Sequence, residues 1–175
     1  MRIVLGVTGS IAAYKACELV RLFAKGGYDV RVVMTAAAQE FVMPLTFRTL
    51  SRNPVGTDQF APPEEWRPEH IAFADAGAVV VAPATANVIA KMAHGIADDL
   101  LTATLLATRA PVFVAPAMND GMWENPATQE NIATIRRRGV TVIGPAAGEL
   151  ASGSEGKGRM AEPTDIFNIV HDACR

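Results

Sequence analysis

The stretch "RIVLGVTGSIAAYK", residues 2–15, joins a short apolar run to a glycine turn and then to the start of a helix. The run 2–7 predicts a buried strand, and Gly9 and Ser10 predict a tight turn. From 11 to 25 apolar residues recur at helical spacing, and a glycine pair follows. We therefore predict a helix with one buried face. A strand, a glycine turn and a helix in this order are the first unit of an α/β fold.

The rest of the chain repeats this alternation of strands and helices. Further strands are predicted at 29–35, 78–83, 111–116 and 140–144, and further helices at 87–94, 99–108, 128–138 and 165–173. Strands this apolar are buried on both faces, which is typical of parallel sheets. We predict one domain over residues 1–175, a doubly wound parallel sheet in a Rossmann- or flavodoxin-like three-layer α/β sandwich. The segment 53–68 holds four prolines and is predicted to be a surface excursion.

Composition excludes several classes of protein. The 175 residues are half apolar and carry a formal net charge of −2, with a pI near 5.9. Without a basic stripe, nucleic acid is not an expected partner. No apolar run is long enough to cross a bilayer, so no membrane association is expected. Cys17 and Cys174 are far apart in sequence and form no CxxC, so neither a disulfide framework nor a metal site is predicted. The first residues do not resemble a signal peptide, and we expect a cytoplasmic protein.

Ligands of an open α/β sheet bind beyond the carboxyl ends of its strands. After the first strand, Gly9 and Ser10 lead into a helix start, whose free N–H groups favour a phosphate. An ordinary strand–helix turn is the alternative. The spacing is not GxGxxG, so a dinucleotide is not indicated. Thr35 follows the second strand and serves either as a helix cap or as a second contact to the same phosphate.

The third and fourth strands both end in Ala-Pro-Ala, within "APATAN" (82–87) and "APAMND" (115–120). Small residues and prolines form a rigid shelf with exposed backbone groups, which suits the close approach of a flat ring. Asn87 and Asn119 follow the two shelves. Each asparagine alone is as consistent with a helix cap. Two such shelves on neighbouring strands favour a ligand site.

The three histidines differ in their surroundings. His70 lies between the proline-rich segment and the third strand, where it is either structural or a group for proton transfer. His94 precedes Gly95 near a predicted helix end. His171 lies in the last helix and is predicted to be exposed.

The segment "LASGSEGKGRM", residues 150–160, holds three glycines, two serines and two cations. Glycines at this density predict a mobile segment.

These motifs together resemble a known family. "GVTGSIAAYK", "HI" at His70, "APATAN", "GIADDLLT", "APAMN" and "GxGRM" are similar, in this order and over nearly the whole chain, to the homo-oligomeric flavin-containing cysteine decarboxylases. "PAMN" with "GxGRM" resembles the branch that acts on 4′-phosphopantothenoylcysteine in coenzyme A synthesis. The resemblance implies FMN as cofactor and a homo-oligomer, a trimer or a dodecamer.

The resemblance also implies a role for each matching residue. The residues implied to hold the FMN phosphate, ribityl chain and ring are Gly9, Ser10, Ile11, Thr35, Ala37, Thr85, Ala86, Asn87, Val88 and Ala117. The residues implied to contact the substrate, several of them on a clamp that folds over it, are Met118, Asn119, Ala151, Lys157, Arg159 and Met160. The implied catalytic residues are His70, which a neighbouring subunit is expected to supply, Asn119, which grips the substrate carboxylate, and Ser152.

Ser152 is a departure from the family pattern. In this family FMN oxidises the cysteinyl thiol to a thioaldehyde, carbon dioxide leaves, and the resulting ene-thiol is reduced while a clamp cysteine supplies a proton. Here Ala151-Ser152-Gly153 replaces Ala-Cys-Gly. A serine hydroxyl is a far weaker acid than a thiol, whose reference pKa is about 8.5. We expect decarboxylation to survive and the final reduction to be slow or absent.

Three explanations of Ser152 stay open, as do three other activities. The serine is an engineered change that traps the ene-thiol, a natural residue backed by another proton donor, or a sign that the ene-thiol is the true product.

The other activities are a peptidyl-cysteine decarboxylase, a non-catalytic flavin-binding regulator and a nicotinamide-dependent flavin reductase. "PAMN", Lys157 and Arg159 favour a small anionic substrate over a peptide.

Overall fold

Six parallel strands form the central sheet. The computed structural model describes residues 1–61, 67–149, 153 and 155–175. The strands are β1 (Arg2–Val7), β2 (Asp29–Met34), β3 (Val55–Gly56), β4 (Ala78–Ala84), β5 (Val112–Pro116) and β6 (Thr141–Val142). Their spatial order is β3-β2-β1-β4-β5-β6, the order of the doubly wound Rossmann fold. The predicted fold class is confirmed.

Helices cover both faces of this sheet. They are α1 (Ala13–Lys25), α2 (Ala36–Gln39), α3 (Pro44–Ser51), α4 (Glu69–Ala74), α5 (Ala86–His94), α6 (Leu100–Ala107), α7 (Asp120–Glu124), α8 (Pro126–Arg137) and α9 (Pro163–Ala173). One core cluster joins the sheet to α1, α2, α3 and α9, and a second joins it to α5, α6 and α8. The result is the predicted three-layer sandwich.

β1 shows why the apolar runs become strands. Ile3 and Leu5 point into the first core cluster and Val4 into the second, and all three are fully buried. Gly6 lies within this strand, under α6. A Cβ on Gly6 would lie 2.5 Å from a methyl group of Leu101, so the glycine allows the helix to pack closely on the sheet.

A second, two-stranded sheet was not predicted. β7 (Ala146–Glu149) pairs antiparallel with β8 (Glu155–Arg159), and Met160 after β8 is 1% exposed in the core. The prediction of a mobile segment over 150–160 is therefore wrong for residues 155–160. Glycine has a low intrinsic strand propensity, so the composition concealed a strand that pairing and packing stabilise. β3, within the predicted excursion 53–68, was also missed because it has only two residues.

The expectations for His94 and His171 had different outcomes. His94 ends α5, and Gly95 follows it in the left-handed conformation at φ 69°, as predicted. His171 is not exposed: its Nδ1 lies 2.6 Å from the hydroxyl of Tyr28, and its ring stacks on Phe167 with centroids 5.3 Å apart. Packing of α9 against α1 brings Tyr28 and His171 together, although 143 positions separate them in sequence. None of the helices in the described ranges is long and apolar enough to span a bilayer.

Candidate active site

A cavity of about 550 Å³ lies where the carboxyl ends of β1, β4 and β5 meet. This volume is in the range of small-molecule and cofactor sites. The hairpin β7–β8 closes one side of it. The cavity is lined by Gly9, Ser10, Ile11, Ala12, Tyr14, Lys15, Thr85, Ala86, Ala117, Met118, Asn119, Met122, Gly158, Arg159 and Met160. Ten of these residues are among the predicted site residues.

The turn before α1 presents free backbone donors to the cavity. The N–H of Ser10 donates to the carbonyl of Thr8 at 2.9 Å, and the Ser10 hydroxyl accepts from Ala12. Within the described part of the chain, no group accepts a hydrogen bond from the N–H of Gly9 or Ile11. Unpaired N–H groups in the turn that leads into a 13-residue helix favour an anion, and the contact with a phosphate stays a prediction.

Thr35 and Ala37 lie behind this turn and do not line the cavity. A Cβ on Gly9 would lie 2.5 Å from the Cβ of Ala37, so the turn and α2 are in close contact only because residue 9 is glycine. The hydroxyl of Thr35 accepts from the N–H of Ala38 at 3.2 Å and caps α2. Thr35 therefore acts as a helix cap, one of its two predicted roles. Contact between Thr35 and a phosphate stays a prediction.

Thr8 joins the turn to the first shelf and was missed by the sequence analysis. Its side chain is 2% exposed; the hydroxyl donates to the carbonyl of Pro83 at 2.7 Å and accepts from the N–H of Thr85 at 3.0 Å. One side chain thus satisfies a buried carbonyl and a part-buried N–H at the end of β4. No spacing pattern within one strand could have revealed a bond to another strand.

The two Ala-Pro-Ala shelves lie side by side. Ala84 pairs with Pro116, and the N–H of Ala117 donates to the carbonyl of Ala84 at 3.0 Å. Small side chains here leave room above the backbone for a flat ligand. Of the two segments only Ala117 lines the cavity, and it forms the cavity floor together with Thr85 and Ala86, which follow the first shelf.

The residues that follow the two shelves differ in whether they cap a helix and whether they line the cavity. The hydroxyl of Thr85 caps α5, accepting from the N–H of Val88, which is buried in the second core cluster. Asn87 is exposed on the first turn of α5 and does not line the cavity. Asn119 lines the cavity and caps α7, with its Oδ1 accepting from the N–H of Gly121 at 2.9 Å. The cap alternative thus holds for Asn119 but not for Asn87, since Thr85 occupies the cap of α5.

Two glycines seat β8 on the second shelf. The N–H of Met118 donates to the carbonyl of Gly158 at 2.9 Å, and a Cβ on Gly158 would overlap the Met118 carbonyl oxygen. A Cβ on Gly156 would lie 2.8 Å from a carboxylate oxygen of Asp120. Gly158 therefore permits a close approach of two backbones, and Gly156 leaves room for the side chain of Asp120. Lys157, between the glycines, is exposed and does not line the cavity.

A charged cluster stands at the base of the hairpin. Both oxygens of Glu162, which begins α9, lie 3.1 Å from the Nζ of Lys15, and Oε1 lies 2.6 Å from a guanidinium nitrogen of Arg159. The hydrogen bond from Lys15 lowers the pKa of the Glu162 carboxyl below its ordinary value. Lys15 and Glu162 were not among the predicted site residues, because 147 positions separate them in sequence.

His70 is not brought to this cavity within one chain. It lies on the first turn of α4 and is half-buried. Arg2, at the amino end of β1, donates to the carbonyl of Ala72 at 3.4 Å, so α4 ends at the opposite edge of the sheet from the cavity. Ala151 and Ser152, the predicted start of the clamp, lie outside the described residues.

The strand order and the cavity at the carboxyl edge of the sheet are those of a doubly wound α/β sandwich. The profile of the Flavoprotein family matches residues 1–175. The chain belongs to this flavoprotein family.

Relatives of known sequence or structure cover most of the chain. The coenzyme A biosynthesis bifunctional protein CoaBC of Haemophilus influenzae is 48% identical over 171 residues, 97% of this chain and 43% of the relative. The chain thus spans less than half the length of that curated relative. A cysteine-to-serine mutant of PPC decarboxylase, complexed with pantothenoylaminoethenethiol, has a TM-score of 0.89 at 34% identity, covering 98% of this chain and 97% of its own. The FMN binding protein AtHal3 has a TM-score of 0.85 at 33% identity, covering 98% and 95%.

Replacing Thr8 tests whether its hydroxyl joins the turn to the shelf. Thr8→Val keeps the side-chain shape but leaves the buried Pro83 carbonyl and the part-buried Thr85 N–H without this partner, so we expect a loss of about 1–3 kcal/mol in the free energy of unfolding. Thr8→Ser keeps the hydroxyl and is the matched control, with a smaller loss expected. The measurement is urea unfolding followed by circular dichroism. Equal losses in the two variants would contradict the bridging role.

The Glu162 cluster predicts a pH-dependent contribution to stability. Since the folded-state pKa of Glu162 is lowered, its contribution is present above the ordinary glutamate pKa and is lost as the pH falls through the lowered value. We expect Glu162→Gln to be less stable than the wild type at pH 7 by about 1 kcal/mol or less, because the cluster is partly solvated. Urea unfolding at pH 7, 5, 4 and 3 measures the difference, which should shrink towards acid pH. A difference that persists after the carboxyl is protonated would contradict this account.

Proposed function

We propose that this chain is an FMN-dependent decarboxylase of 4′-phosphopantothenoylcysteine. The observation that carries the proposal is that one cavity joins an anion-binding helix start, a floor of small residues and Asn119. The names of the related proteins support it: one acts in coenzyme A biosynthesis, one is a PPC decarboxylase and one binds FMN. A small anionic substrate also agrees with the two cations on the cavity wall, Lys15 and Arg159.

The residues of the cavity fit FMN. The free N–H groups of Gly9 and Ile11 suit a single phosphate, and the hydroxyl of Ser10 lies in the same turn. The shelf residues Thr85, Ala86 and Ala117 leave a flat surface for the ring, and we assign Asn87 and the backbone of Val88 to its edge. We assign Thr35 and Ala37 to the outer side of the phosphate. When bound, FMN supplies the two-electron oxidation of the cysteinyl thiol on which loss of carbon dioxide depends.

Asn119 is suited to hold the substrate carboxylate. Its Oδ1 is used by the helix cap, so the two amide N–H donors of Nδ2 remain for a ligand. The amide is neutral and does not form an ion pair with the carboxylate. Interactions that stabilise the charged ground state more than the transition state slow a reaction, so a neutral donor is appropriate for a carboxylate that leaves as carbon dioxide. Met118 and Met160 would pack against the rest of the substrate.

We assign proton transfer to His70 of a neighbouring copy in a trimer or dodecamer. His70 does not line the cavity of its own chain, and its helix contacts Arg2 at the amino end of β1, which supports assigning it to the site of another copy. Three apolar or aromatic residues of the cavity wall, Ile11, Tyr14 and Met122, are each about half or more exposed. A second copy covering this mouth would remove that apolar surface from water.

Ser152 is proposed as the reason that the reaction stops early. The complex of a related cysteine-to-serine mutant with an ene-thiol supports this expectation. A serine hydroxyl does not readily supply the proton that the final reduction needs. The clamp assignment of Ala151, Lys157 and Arg159 rests on the same resemblance.

Mass spectrometry of the product tests the activity. The FMN-loaded protein is mixed with 4′-phosphopantothenoylcysteine in the absence of oxygen. We expect a product that has lost carbon dioxide and two hydrogen atoms, with the flavin bleached because it has received those two electrons. Ser152→Cys is the matched variant and should release 4′-phosphopantetheine, which has lost carbon dioxide alone, with the flavin reoxidised. Unchanged substrate in both would contradict the proposed function, and loss of carbon dioxide alone from the wild type would contradict the role given to Ser152.

Mixed oligomers test the assignment of His70 to a neighbour's site. His70→Asn and Asn119→Asp are each expected to lower the decarboxylation rate at least about 100-fold. Asn119→Asp keeps the cap oxygen but places a negative charge beside the carboxylate. Co-expression of the two variants with different tags yields oligomers in which some sites combine an intact Asn119 with an intact His70 of the next copy. Activity should return in these oligomers, and its continued absence would show that His70 does not act across the interface.

A further inference from the structure

We propose that Lys15 and Arg159, held together by Glu162, form the subsite for the phosphate of the substrate, an inference that rests on the proposed function. The two cations come from distant parts of the chain: Lys15 from the first turns of α1 and Arg159 from the end of β8. Both line the cavity, while Glu162 lies behind them at the start of α9. No motif in the sequence joins these three residues.

The geometry fixes the two cations in place. The Nζ of Lys15 lies 3.1 Å from both oxygens of Glu162, and the side chain is 14% exposed. A guanidinium nitrogen of Arg159 lies 2.6 Å from Oε1 of the same Glu162 carboxylate. A flexible lysine held at both oxygens of one carboxylate loses less freedom when a ligand binds. The cluster is therefore already arranged before an anion arrives.

The charge of the cluster is unbalanced. Two cations share one carboxylate, which leaves a net charge of +1 on the cavity wall. Among the described residues that line the cavity, the charged side chains are these two cations. An anionic group of a ligand would complete the pairing, with hydrogen bonds to charged donors that are stronger than those to neutral ones.

The chemistry of the substrate decides which anion belongs here. 4′-Phosphopantothenoylcysteine carries a carboxylate that is lost as neutral carbon dioxide and a phosphate that keeps its charge throughout. An ion pair with the carboxylate would stabilise the ground state and oppose its departure. An ion pair with the phosphate binds the ground state and the transition state equally, so it raises affinity without opposing the reaction. The cations therefore suit the phosphate, and the neutral Asn119 suits the carboxylate.

The phosphate of the cofactor is the competing ligand for Lys15. The free N–H groups of Gly9 and Ile11 already provide a site for that phosphate at the helix start. The Nζ of Lys15 is held by Glu162, at the start of α9. Loss of FMN affinity in a Lys15 variant would reveal the competing role.

The test compares the binding of two ligands to the FMN-loaded protein. Calorimetry gives the dissociation constants of 4′-phosphopantetheine and pantetheine, which differ only in the phosphate and require no turnover. We expect the wild type to prefer the phosphorylated ligand by roughly 10- to 100-fold, and Lys15→Met and Arg159→Gln each to lose most of that preference. Flavin absorbance of the same samples reports FMN retention.

Lys91→Met is the matched control. Lys91 is also a lysine in an ion pair, 2.7 Å from Asp98 and 19% exposed, but it does not line the cavity, so the preference should be retained. A wild type without a preference for the phosphorylated ligand would overturn the subsite, even if decarboxylation occurs. A preference that survives in Lys15→Met, or a Lys15→Met protein whose main defect is loss of FMN, would also overturn it. If the preference behaves as expected while no carbon dioxide is released, the subsite stands and the proposed reaction is wrong.

Discussion

The backbone hydrogen bond between Met118 and Gly158 is the contact on which the cavity depends. The sheet alone provides only a floor and one wall, namely the shelves and the turn before α1. The second wall comes from the hairpin, and the hairpin reaches the shelf because Gly158 has no side chain between its backbone and the Met118 carbonyl. Arg159, Met160 and Glu162 follow directly in sequence, so this contact also determines where the charged cluster stands.

The groups around the cavity divide by charge. Backbone N–H groups at Gly9 and Ile11 face the position proposed for one phosphate, and a cation pair faces the position proposed for another. Between them lies a neutral amide, Asn119, beside a floor of small side chains. Permanent charges of a ligand would thus meet donors with full or partial positive charge, while the group that must lose its charge would meet a neutral donor.

The sequence predicts those parts of the molecule that depend on local pattern. Apolar runs such as residues 2–7 and 78–83 predict central strands, because burial on both faces leaves a continuous apolar run. The hairpin escapes prediction because glycines at 156 and 158 serve close packing and lower the local strand signal. The bridge made by Thr8 and the pairing of Lys15 with Glu162 join residues 75 or more positions apart, and no periodicity records such contacts. The role proposed for His70 depends on a second copy, which a single sequence does not describe.

The hydroxyl of Thr8 also has a consequence for the length of the ligand. Because one oxygen bonds to both the carbonyl of Pro83 and the N–H of Thr85, the end of β1 and the end of β4 are held a fixed distance apart. The turn at Gly9 follows one of these ends directly, and the shelf follows the other. Together with the backbone pairing of β1 and β4, the Thr8 side chain therefore fixes the separation between the turn at Gly9 and the flat floor. A ligand with its charge and its ring at another spacing would satisfy only one of the two surfaces.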